Sequence, residues 1–107
     1  MRVRLREIAH GRAGDKGDTS TVSVIVFDPA HFPLIRDQVT VARVAAWFGD
    51  LVGGPIERYE LPQLGALNFV MHRALGGGVT RSLALDAHGK SRSALLLEME
   101  IDLGRDA

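Results

Sequence analysis

Cysteine is absent from the 107-residue sequence. Its absence removes a disulfide framework, a thiolate nucleophile and any Cys-rich zinc site. A charge imbalance is missing too, with 13 Lys and Arg against 13 Asp and Glu. No long-range positive field therefore steers the chain to nucleic acid or to an anionic membrane, and any anion it binds has to be held by local geometry. The first residues, Met1 to Glu7, alternate charge and hydrophobe and never reach the apolar run of a signal peptide or a membrane span. A cytoplasmic location is the expectation that fits. Histidines at 10, 31, 72 and 88 show no metal-ligand spacing, so neither a metal nor another cofactor is expected.

What is present is an ordinary globular composition, 46% apolar and 24% charged. A chain of this length has room for one core, so residues 1–107 are expected to form a single domain with a frayed tail from Gly104. Val3 and Leu5 alternate with arginines, predicting a strand over 2–9. Residues 21–27, TVSVIVF, have the β-branched composition of a central strand. Asp28-Pro29 signals a short helix toward Val39, weakened by Pro33. Thr40 is a candidate N-cap for a helix over 41–52, ended by Gly53-Gly54-Pro55. Alternation over 56–61, broken by Pro62, predicts an edge strand. Leu64, Leu67, Val70, Met71 and Leu75 stand at helical spacing, predicting a helix over 63–75. Leu83 and Leu85 against Leu95 to Ile101 suggest a closing hairpin. These elements describe an α+β fold: a mostly antiparallel sheet of about five strands with two or three helices on one face, a ferredoxin-like variant.

Gly11-Arg12-Ala13-Gly14-Asp15-Lys16-Gly17-Asp18 reads as a loop between the first two strands. Its glycines would allow close approach of a ligand, and Arg12 and Lys16 would supply charge-assisted donors to a phosphate or carboxylate. It matches neither a Walker A loop nor the dinucleotide fingerprint. The plain alternative is a wide turn in which Asp15 and Asp18 are Asx acceptors. A second glycine segment, Gly76-Gly77-Gly78 with Arg81 and Ser82, either stops a helix or approaches the same ligand. Asn68 ties down a neighbouring backbone or reaches that ligand. His10, Asp86, His88 and Lys90 are either solvated turn residues or the polar rim of the site. Trp47 and Phe48 read as core or dimer-contact residues.

The ordered stretches His10 to Asp18 (HGRAGDKGD), Tyr59 to Val70 (YELPQLGALNFV), Leu75 to Asp86 (LGGGVTRSLALD) and His88 to Lys90 (HGK) resemble the small ferredoxin-like domain of the AtuA, acyclic terpene utilisation, family. The chain departs from that family's pattern at Ala13 and Thr21, where Ser and Asn are favoured. The resemblance implies the small domain occurring alone, a role in bacterial catabolism of acyclic terpenes or related branched acyl-CoA compounds, and a large AtuA-like partner subunit. It supplies no catalytic residue. Three functions follow: an accessory domain binding an anionic group such as an acyl-CoA phosphate or a carboxylate; a homo-oligomerisation module; or a lyase or hydratase in which Asp15 or Asp18 acts as base, Lys16 or Arg12 stabilises negative charge and His10 or His88 moves protons.

Overall fold

A computed structural model describes residues 1–16, 19–49, 52–73 and 90–104. Its elements are β1 (Arg2–Arg4), β2 (Ala9–Lys16), β3 (Thr19–Val26), α1 (Phe32–Gln38), α2 (Val41–Phe48), β4 (Ile56–Leu61), β5 (Ala66–Met71), α3 (Lys90–Leu97) and β6 (Glu100–Asp102), with short 3-10 turns before β2, α1 and β5. β2, β3, β5 and β4 form, in that order, a four-stranded sheet, and β1 pairs with β6 in a two-stranded one. Every pairing is antiparallel. This is the expected α+β architecture, with six strands in two sheets among the described residues where about five were expected.

Successive side chains on a strand point to opposite faces, and β3 follows the rule residue by residue. Ser20, Val22, Val24 and Val26 are buried, while Thr19, Thr21, Ser23 and Ile25 keep access to solvent. On β5 Leu67, Phe69 and Met71 are buried on the same side, and Ala66 is buried on the other. Val22, Val24, Val26, Leu67, Phe69 and Met71 join Phe32 and Ile35 of α1, Val44 and Phe48 of α2, and Leu96 of α3 in one core. The three described helices therefore lie on one face of the four-stranded sheet. Burying each of these larger side chains contributes about 1.5–3 kcal/mol.

Local chemistry sets the helix starts. The Asp28 carboxylate accepts from the Ala30 N–H at 3.0 Å, with Pro29 following it. The expected cap at Thr40 forms, its Oγ1 accepting from the Arg43 N–H at 3.2 Å. Gly49 closes α2 at φ 58°, a left-handed value that glycine tolerates without strain.

Four expectations are corrected. The strand over 2–9 divides, because Leu5 turns into the core within the 3-10 turn Leu5–Glu7 and β2 starts only at Ala9. The glycine-rich run is no loop: Gly11 to Lys16 pair one for one with Val24 to Thr19. The helix over 63–75 is strand β5, because a segment with partners on both sides, β3 and β4, satisfies all its backbone groups in the ladder. The closing strand over 95–101 is instead the end of α3 and the short β6, with Leu96 and Met99 buried three residues apart. Leu83 and Leu85 of that hairpin lie outside the described residues.

Candidate functional site

The second face of the four-stranded sheet carries no helix among the described residues. Its rows follow from the strand register. Arg12, Ser23, Asn68 and Tyr59 form one row across all four strands. Gly14, Thr21, Val70 and Glu57 form the next row toward the β2–β3 turn, and His10, Ile25, Ala66 and Leu61 the row on the other side. The face is therefore polar at one end and apolar at the other.

Side chains tie the polar end together. The Asn68 amide donates to the Ser23 hydroxyl at 2.8 Å, and the Thr21 hydroxyl donates to the Gly14 carbonyl at 3.4 Å. On the edge strand β4 the Tyr59 hydroxyl donates to Glu57 Oε1, and His72 Nε2 lies 3.1 Å from Glu57 Oε2. The Tyr59 bond, reinforced by His72, holds the Glu57 carboxyl below the usual carboxylate range. The same bond pushes the Tyr59 phenol up.

At the apolar end His10 stacks on Phe27, with ring centroids 5.3 Å apart and planes inclined by 17°. Phe27 is 64% exposed and Leu64 68%. Glu60, Leu61, Pro62, Gln63 and Leu64 line an open depression.

Four residues expected from the sequence, His10, Arg12, Gly14 and Asn68, thus share one face. Asn68 arrives there on a strand rather than on a helix. Asp15 and Lys16 close the ladder opposite Ser20 and Thr19, and Lys90 opens α3. Gly17, Asp18, Gly77, Gly78, Arg81, Asp86 and His88 lie outside the described residues. Gly11 belongs to the other face: a Cβ built on it would lie 3.2 Å from Ser93 Cβ, so its missing side chain admits α3 rather than a ligand. Sequence reasoning missed Ser23, Glu57, Tyr59 and His72. The alternation of Glu57 and Tyr59 was a usable signal once β4 was recognised as an edge strand.

Trp47 is anchored through its indole N–H, which donates to the Leu95 carbonyl at 2.8 Å, while Phe48 is buried. Among the described residues no group of three or more acidic or histidine side chains is placed to hold a metal. No described helix is long and apolar enough to cross a membrane.

Among the described residues, helices cover one face of an antiparallel sheet and none covers the other, an α+β architecture. Residues 3–102 match the AtuA ferredoxin-like domain, and the chain belongs to that family. No curated protein and no solved structure matches it.

Proposed function

We propose that this chain is the accessory, ligand-binding component of an AtuA-like system, acting with a larger AtuA-like partner in the breakdown of acyclic terpenes or related branched acyl compounds. On this reading it holds an anionic group on the open face of its four-stranded sheet. The observation that carries the proposal is the row Arg12, Ser23, Asn68 and Tyr59. It sets a guanidinium, a hydroxyl, an amide and a phenol side by side over three strand spacings of about 4.8 Å each. A guanidinium fork suits a carboxylate or phosphate, and the amide has a second N–H and a carbonyl beyond its bond to Ser23. In the neighbouring row Ile25 and Leu61, which keep access to solvent on either side of buried Ala66, offer an acyl chain an apolar surface. An amphiphilic anion such as an acyl-CoA fits that division.

Thermal melting with CoA, a short branched acyl-CoA, phosphate and simple carboxylates tests the proposal. Ligand at about 100 times its Kd stabilises the fold by about 2.7 kcal/mol, and the acyl-CoA should raise Tm more than phosphate does. Arg12→Ala should remove the shift and leave the unliganded Tm nearly unchanged, since Arg12 is exposed. An unchanged Tm with every ligand contradicts the proposal.

A further inference from the structure

We infer that the open sheet face also closes on a second copy of this chain, in a two-fold dimer whose axis runs along the strands between β3 and β5. The inference rests on the reading that this face is the working surface, and it names a partner for it. The register carries the argument. An axis along the strands exchanges β2 with β4 and β3 with β5 while keeping each row at its own level. Val70 of one copy then faces Thr21 of the other. This sets a larger side chain against a smaller one, the pairing that fills the space between sheets packed about 10 Å apart.

The same operation treats both ends of the face consistently. Val26 donates its N–H to the Gly65 carbonyl, so Phe27 and Leu64 continue the register and face each other across the dimer. Both are among the most exposed large apolar side chains of the molecule. At the sheet edges Arg12 comes over Tyr59 of the second copy, with Glu57 one row away. Arg12 has no ion pair with another described residue. Among the described residues Glu57 meets only Tyr59 and His72, and a carboxylate has about four acceptor positions. A guanidinium from the second copy fits the remainder. A two-fold axis across the strands would lay Leu61 and Leu64 on Glu57 and His72, setting apolar surface against charge. Shape and charge therefore both select the axis along the strands.

A face about 20 Å on a side, from strand spacing and rise, gives about 400 Å² per copy and about 800 Å² in all, below the about 1,200 Å² of stable complexes and within the range of weak, transient ones. The dimer should form in the micromolar range, and an anionic ligand on the same face should compete with it. Sedimentation velocity from about 1 to 500 μM spans that range of affinity. The wild-type chain should pass from monomer to dimer. Arg12→Glu and Glu57→Arg should each weaken the dimer about tenfold or more, and the two together should restore it, because the charge pair is remade in exchanged positions. Circular dichroism establishes that each variant is folded. A chain monomeric throughout, or a dimer whose charge exchange gives no rescue, overturns the inference. The ligand response, measured at protein concentrations below the dimerisation range, stands or falls separately.

Discussion

Gly11 of β2 and Ser93 of α3 stand so close that a Cβ on the glycine would lie 3.2 Å from the serine Cβ, with Leu97 Cδ1 at 3.5 Å. The helix rests directly on the strand at this point, and a larger residue at 11 would lift it away. Gly11→Val should cost about 1–3 kcal/mol by overpacking, despite the better strand propensity of valine. Gly14→Ala is the control: its added carbon meets only the tip of the Thr21 side chain, at 3.2 Å. Its effect should stay within about 0.5 kcal/mol. Urea denaturation of the two variants checks the contrast.

Arg58 reaches from the edge strand to the end of α1. Its Nη1 donates to the carbonyls of Arg36 at 2.8 Å and Val39 at 2.9 Å, and its Nη2 to Glu60 at 2.7 Å. Those carbonyls belong to the helix end, where intrahelical partners run out. Arg58→Ala should cost about 1–3 kcal/mol, the penalty for leaving such groups unpaired. Arg58→Lys should recover little, because an ammonium lacks the fork that spans both carbonyls and the carboxylate. Comparing the denaturation midpoints of the two variants checks this.

Ser20 is 0% exposed, and its hydroxyl has no hydrogen-bond partner among the described residues. A buried unpaired hydroxyl is costly, so Ser20→Ala should leave stability unchanged or raise it by about 1 kcal/mol. A fall of that size in the urea midpoint would show that the hydroxyl has a partner in solution.

Three carboxylates, among them Asp37 beside Arg36, give the fold an acid-sensitive term. Asp102 is held below its usual range by the Gly104 N–H and then by the Met1 ammonium, and Glu57 by Tyr59 and His72. A group whose folded pKa is depressed takes up its proton more readily when unfolded. Its contribution is therefore present above the ordinary carboxylate pKa and is lost as pH falls through the folded value. Stability measured by urea should decline below about pH 4, and Asp102→Asn should show a shallower decline than the wild-type chain.

The parts of the fold that were legible are those where local chemistry and tertiary context agree. Thr40 was readable as a cap because its side chain satisfies a helix N–H whatever the surroundings. The alternation of β3 and the Pro62 stop of β4 were legible for the same reason. β5 was not, because Leu64, Leu67 and Met71 fit a helical spacing, while Leu67, Phe69 and Met71 fit a strand equally well. Only the ladders on both sides decide between the two. The Gly11 to Lys16 run misled because glycine is a poor strand former, and its place in β2 depends on a helix that meets it from distant sequence. The same ambiguity hid most of the candidate site. Arg12 and Asn68 could be singled out as chemistry, but their shared row with Ser23 and Tyr59 exists only once four strands are in register.

The central claim, that the open sheet face is the working surface, is tested most directly by a two-dimensional amide NMR titration of the chain with a short branched acyl-CoA. The largest shifts are predicted at the amides of Arg12, Ser23, Asn68 and Tyr59, extending toward Ile25 and Leu61, with little change at Ile35, Val44 or Trp47 on the helical side. Shifts centred on the helices, or none at saturating ligand, would contradict it.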